Sequence, residues 1–144
     1  MNIALIAHDG RKKEMLEWVK YNYKLLSKHK LFATGTTGRL INDLSVMGEV
    51  DEYTHYASTK EIYPFKDQIT CLLSGPLGGD QQIGAMIAED KIDCVIFFCD
   101  NLITQGHQQD VSALSRLASL SCLLLGATYT SHPIIGFTLF ALQA

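Results

Sequence analysis

Four polar clusters in this sequence carry side chains able to do acid–base or anion chemistry. They are His8-Asp9 with Lys12 close behind, Thr34-Gly35-Thr36-Thr37-Gly38, Ser74-Gly75 followed by Asp80, and a loop holding Asp100, His107 and Asp110. The Thr-Gly run offers three hydroxyls and backbone N–H groups at a helix start, which suits a phosphate monoester; the alternative is that its threonines cap the helix. Ser74-Gly75 adds a second small-residue turn, and Lys12 either neutralises an anion at the same edge or is a solvated helix residue. Asp80 follows Gly78-Gly79 and precedes a helix, so it is a general base or an N-cap. Capping lowers a carboxyl pKa, so a base here needs burial, or carboxylate neighbours such as Asp9 and Asp110, to oppose that effect. His107 can donate to a substrate carbonyl oxygen or be a surface loop residue. Asp9 and Asp110 can equally cap their own helices. His8, Asp9, Asp80, His107 and Asp110 match no HExxH spacing and come from three loops, so no metal is expected.

These side chains must be held by a scaffold, and the apolar pattern supplies one. Residues 2–7 (NIALIA) read as a buried strand stopped by His-Asp-Gly. Met15, Leu16, Val19, Tyr23 and Leu26 then place an amphipathic helix over about 12–28. The unit repeats with a strand at 31–33, the 34–38 loop and a helix from 39 to about 47. A third strand spans 69–73, and Ile83, Met86 and Ile87 mark the next helix. Residues 94–98 form a fourth strand, Val111, Leu114, Leu117 and Ala118 another helix, 122–125 a fifth strand, and Ser131-His132-Pro133 the start of a last helix. Alternating strands and helices of this length predict a three-layer α/β/α domain around a five-stranded, mostly parallel sheet. Each polar cluster follows a strand, so all four share the carboxyl edge of the sheet, where open α/β sheets bind ligands.

Bulk properties bound the function. The 144 residues, 47% hydrophobic and 19% charged, predict one domain over 1–144 with a single core. A net charge of -3, with basic residues scattered apart from Arg11-Lys12-Lys13, predicts no nucleic-acid partner. The N-terminus has its apolar and basic residues in the wrong order for a secretory signal, and 123–142 is broken by hydroxyls, His132 and Pro133. A soluble, cytoplasmic protein without a membrane partner is expected. Cys71, Cys94, Cys99 and Cys122 form no CxxC pair and read as buried, reduced thiols. Residues 48–67 break the alternation with a polar, tyrosine-containing stretch. It reads as an insertion: a lid, an interface arm or a short hairpin.

Taken in order, IALIAHDGRKK, ATGTTGRLI, LSGPLGGDQQIGAMIAEDKID, the Cys99-Asp100 strand end and His107-Gln108-Gln109-Asp110-Val111 resemble the methylglyoxal synthase family. The SGPLGGDQQ block is the most specific of these. The resemblance implies a carbon–oxygen lyase that eliminates phosphate from dihydroxyacetone phosphate without cofactor or metal, bypassing part of glycolysis. It implies a phosphate pocket at Lys12, Thr34, Gly35, Thr36, Thr37, Ser74 and Gly75, with His8 and Asp9 near the substrate. Asp80 matches the base, His107 the histidine that polarises substrate oxygens, and Asp100 and Asp110 acidic residues of the same site. It further implies a homohexamer inhibited by inorganic phosphate, the product. The same fold also serves as a non-catalytic regulatory domain binding small phosphorylated effectors, which is the alternative.

Three departures from the family pattern stand out. Asp100-Asn101-Leu102 replaces a common Asp-Pro-Leu, and a proline is missing around His107. The 48–67 connection is longer than usual. No arginine follows Arg116, whereas the family often supplies a late arginine to a neighbouring subunit's phosphate site. Altered rate, assembly and phosphate inhibition are the expected consequences.

Overall fold

Ile3, Ala4, Leu5, Ile6 and Ala7 are all buried, so β1 (Asn2–Ala7) has no solvent face and must lie inside a sheet covered on both sides. The computed structural model describes residues 1–48, 60–98, 114 and 124–127. In it β1 pairs in parallel with β2 (Lys30–Ala33) on one side and β6 (Cys94–Phe98) on the other. β5 (Ile69–Cys71) extends the sheet beyond β2, and β7 (Leu124–Ala127) extends it beyond β6. The order is β5-β2-β1-β6-β7, and every pairing is parallel.

Strand alternation sorts the core into two faces. Ile3, Leu5 and Ala7 of β1, with Cys94 and Phe98 of β6, pack with Met15, Trp18 and Val19 of α1 (Lys12–Tyr21) and Ile41 of α3 (Gly35–Asn42). The intervening Ala4, Ile6, Val95 and Phe97 pack on the other face with Ile83 and Ile87 of α4 (Gly79–Ala88), Ile92 and Leu114. This is the expected three-layer arrangement.

Several boundaries differ from the sequence reading, each for a local reason. The first helix stops at Tyr21, where the Asn22 side chain donates to the Trp18 carbonyl at 2.9 Å; α2 (Tyr23–Leu26) follows as a separate turn. Trp18, absent from the expected stripe, is buried beside Phe98. The second helix begins at Gly35 rather than at 39, because the Thr-Gly run is itself the first helical turn, and it ends at Asn42. The third strand ends at Cys71 rather than at 73, and the fifth is Leu124–Ala127 rather than 122–125. The expected helices around 111–118 and after Ser131 lie outside the described residues, apart from Leu114. No described helix is long and apolar enough to cross a membrane.

The described ends of the 48–67 stretch are anchored. β3 (Val46–Met47) pairs antiparallel with β4 (Glu61–Ile62), and the Gly48 N–H donates to the Lys60 carbonyl at 2.9 Å. Phe65 is fully buried in the α1/α3 core. The Asp67 N–H donates to the Asn42 side-chain oxygen at 3.0 Å, tying this segment to the end of α3. Phe65→Ala should therefore destabilise the protein by about 3–5 kcal/mol in chemical denaturation, as for an aromatic removed from a packed core.

The thiols do not share one environment. Cys94 is buried, but Cys71 is exposed, contrary to the expectation for all four; it sits on β5, an end strand of the described sheet. Cys99 and Cys122 lie outside the described residues. Burial, with Asp93 nearby, pushes the Cys94 thiol up to about 11 from 9.0. Between those values the folded state keeps a proton that the unfolded state releases, so stability falls as pH rises through this window. Cys94→Ala should flatten that alkaline decline in urea-melt stability. At pH 8 the Cys71 peptide should alkylate before the Cys94 peptide, as read by mass spectrometry.

Candidate active site

β1, β2 and β5 end side by side, so the turns that follow them converge on one edge. After β1, His8 is extended, with its N–H on the Phe98 carbonyl at 3.1 Å, and a 3-10 turn (Asp9–Arg11) leads into α1. That turn brings Asp9 and Lys12 together as an ion pair, with the Lys12 side chain 19% exposed and that of Asp9 95% exposed. Asp9 is thus solvated and has Lys12 as a counter-charge. Both conditions weaken it as the neighbour expected to make Asp80 basic.

After β2, Thr34 is extended (φ −67°, ψ 142°) and α3 starts at Gly35. The Gly35 N–H donates to the Leu73 carbonyl at 3.0 Å, so it has a protein acceptor already. Within α3 the first-turn donors that remain are the Thr36 and Thr37 N–H groups. Thr37 is 2% exposed, and its buried Oγ1 has no hydrogen-bond partner. A buried hydroxyl left without a partner is rare in a folded protein, and this one stands in the first turn of a helix, the end that favours anions.

After β5 the chain makes a 3-10 turn (Gly75–Leu77) behind Ser74, then enters α4 through Gly78, whose φ of 102° lies in the left-handed region that glycine tolerates. Gly78 occupies the N-cap position, so Asp80 lies inside the first helical turn and is not the cap. Its carboxylate folds back over the preceding turn: a Cβ placed on Gly75 would sit 3.1 Å from Asp80 Oδ2.

These three turns enclose a cavity of about 400 Å³. Its wall includes His8, Asp9 and Lys12 from the first turn, Thr34, Thr36 and Thr37 from the second, and Ser74, Gly75 and Asp80 from the third. Nine of the sequence candidates are therefore brought together. Gly35 is beneath the wall: a Cβ on it would come within 2.8 Å of the Ser74 backbone nitrogen, so its part is close backbone approach rather than donation. Asp100, His107 and Asp110 lie outside the described residues. Sequence reasoning missed the apolar part of the wall, Ile6 and Phe97, which are register partners on β1 and β6, together with Ala7 and Pro76. Alternation at the strand ends was the available signal for the first two. Phe97 meets the His8 ring edge-on, with centroids 5.1 Å apart at 82°, and so helps set its plane. Among the described residues, no group of three or more His, Cys, Asp or Glu is placed to hold a metal.

The site's sequence context matches a known family: the MGS-like domain model covers residues 14–120 of this chain. The chain belongs to the MGS-like domain family. Methylglyoxal synthase of Proteus mirabilis (strain HI4320) is 52% identical over 119 residues, which are 83% of this chain and 65% of that protein. The Maridesulfovibrio salexigens methylglyoxal synthase is 50% identical, across 83% of this chain and 71% of its own length. That of Yersinia pestis (strain Pestoides F) is 41% identical over 141 residues, 97% of this chain and 79% of that protein. A crystal structure of methylglyoxal synthase from Elizabethkingia anophelis NUHP1 superposes with a TM-score of 0.61 at 41% identity, covering 82% of this chain and 64% of that one. The chain thus spans about two thirds of the length of the first of these relatives and of the solved structure. The MGS-like assignment includes the Thr34, Ser74 and Asp80 turns, which all fall inside the matched segment.

Removing the lone hydroxyl should separate anion binding from folding. Thr37→Val is nearly isosteric and takes away a buried oxygen that no protein group satisfies. Inorganic phosphate should bind about 10- to 100-fold more weakly by calorimetry, the loss of a hydrogen bond to a charged group, while the thermal midpoint does not fall.

Proposed function

We propose that this chain is a methylglyoxal synthase, eliminating phosphate from dihydroxyacetone phosphate through an enediolate. The observation that carries the reading is the Asp80 carboxylate over Gly75, in the same cavity as the unpartnered Thr37 hydroxyl. A module that only bound a phosphorylated effector would gain nothing from a carboxylate set beside its anion cradle, because like charges repel there. A base beside the cradle makes sense where the phosphate ester must also lose a proton.

The residues divide the work accordingly. Thr34, Thr36, Thr37, Ser74 and Gly75 surround the phosphate, and Lys12 supplies positive charge as it moves from Asp9 alone toward a shared contact with the anion. Asp80 takes a proton from the hydroxymethyl carbon, and the electron pair of that C–H bond becomes the enediolate. His8 lies at the same cavity, and the sequence resemblance adds His107 as donor to the developing oxyanion, with Asp100 and Asp110 beside it. The C–O bond to phosphate then breaks, phosphate leaves with the bonding pair, and the enol tautomerises to methylglyoxal. Elimination requires the breaking C–O bond to stand out of the enediolate plane, so the cradle must hold the phosphate at a fixed angle to the base. The cavity is at the small end of ligand sites, which suits a triose phosphate. No step in this scheme calls for a metal or cofactor. The reading extends to a cytoplasmic homohexamer inhibited by phosphate, with 1–144 as one domain carrying the 48–67 insertion.

Purified protein given dihydroxyacetone phosphate with a chelator present should release phosphate and methylglyoxal in equal amounts; release of neither would end the proposal. Asp80→Asn should lower kcat by about 10² to 10⁴ and leave phosphate binding largely intact. An unchanged rate would move the base to Asp9 or Asp110.

A further inference from the structure

Gln82 stands on α4 two residues after Asp80, is exposed, and does not line the cavity. Its Oε1 nevertheless accepts the Leu73 N–H at 2.8 Å. That bond lies where β5 has stopped pairing: the Leu72 N–H still reaches the Ala33 carbonyl at 2.8 Å, while the Leu73 N–H has left the strand ladder. The other side of the same residue is also engaged. The Leu73 carbonyl accepts the Gly35 N–H at 3.0 Å and lies under Gly79, where any Cβ would overlap it. Leu73 is therefore clamped from two sides, by the first residue of the helix that carries the Thr-Gly cradle and by the helix that carries Asp80.

We propose that Gln82 is a positioning residue that sets the orientation of the Asp80 helix against the phosphate cradle. This rests on the elimination reaction proposed above. The Leu73 N–H is near solvent, so without Gln82 water can satisfy it and the fold survives. What is lost is the side-chain tie from α4 to Leu73, leaving the Gly79 N–H to Ser74 carbonyl bond at 3.0 Å to hold the helix start. Proton abstraction tolerates a small shift of the base better than elimination does, because elimination alone needs the C–O bond held out of the enediolate plane. With the tie gone, Asp80 still removes the proton, but the enediolate is more often reprotonated at carbon by the same carboxylic acid, returning dihydroxyacetone phosphate. In D₂O that return delivers a deuteron, because the Asp80 proton exchanges with solvent before it goes back.

The test compares wild type, Gln82→Met, Gln82→Ala and Gln82→Glu with dihydroxyacetone phosphate in D₂O. It follows methylglyoxal release, deuterium in recovered substrate, phosphate inhibition and the thermal midpoint. Met and Ala remove the acceptor; Glu keeps an acceptor oxygen and adds a charge that registers in KM. The expected result is a fall in kcat of about 10- to 100-fold for Met and Ala, with phosphate inhibition little changed. The ratio of deuterium uptake to elimination should rise about tenfold, and Glu should return it toward wild type. An unchanged ratio in both Met and Ala overturns the proposal, whether or not kcat or the thermal midpoint moves. So does a Glu variant as altered as Met. A wild type that makes no methylglyoxal refutes the parent reading instead, and is told apart by that control.

Discussion

Three segments of chain meet at Leu73, and their approach is closer than side chains would allow. Gly35 faces the Ser74 backbone, and Gly79 faces the Leu73 carbonyl, with no room for a Cβ at either position. Only glycine satisfies both contacts, which makes the two helix starts and the end of β5 a single backbone knot. The cavity depends on this knot because its walls are loops, and loops hold a ligand geometry only when their own backbone hydrogen bonds are fixed. Here they are: Gly35 to Leu73, Leu77 and Gly79 to Ser74, and Gly78 to Gly75, all between 2.9 and 3.0 Å. An anion entering this site therefore meets donors already oriented, rather than a loop that must be ordered on binding.

The knot also resolves an electrostatic conflict. A carboxylate beside a phosphate dianion is unfavourable, and a carboxylate in the first turn of a helix is stabilised as the ion by the helix terminus. The site separates the two influences by direction. α3 begins at the cavity, with Thr36 and Thr37 of its first turn in the wall, while Asp80 reaches the same cavity from α4 by bending back over Gly75. The cation nearest this arrangement, Lys12, comes from the first turn and is paired with Asp9 at the cavity wall. With Asp9 solvated and paired, it contributes more by placing Lys12 than by acting on Asp80.

The sheet and its polarity were readable from the sequence because both rest on period-two and period-3.6 patterns that are strong here: NIALIA and CVIFF are buried on two faces, and α1 and α4 have clear stripes. Convergence of the polar clusters followed from parallel topology alone. What was not readable was anything set by tertiary hydrogen bonds. The Thr-Gly run looked like a loop because hydroxyls and glycines disfavour helix interiors, yet it forms a first turn whose N-terminus packs on Leu73. An N-cap is one of the two roles the sequence leaves open for Asp80, because aspartate favours that position, yet Gly78, with its positive φ, takes it. The exposure of Cys71 follows from the position of β5 at one end of the described sheet, which no single-strand pattern reveals.

α3 joins the core to the candidate site. Thr36 and Thr37 of its first turn border the cavity, its penultimate residue Ile41 is fully buried in the main core, and its last residue Asn42 holds the Asp67 N–H. Phe65, two residues before Asp67, enters the same core as Ile41. The segment that follows β4 thus braces the end of α3 opposite the cavity. α3 is one unbroken helix of eight residues, so packing at its Asn42 end and position at its Gly35 end are linked through a continuous hydrogen-bonded backbone. The described end of the 48–67 segment is therefore fastened to the scaffold of the candidate site, so a substitution at Phe65 acts on that scaffold without touching any residue of the cavity.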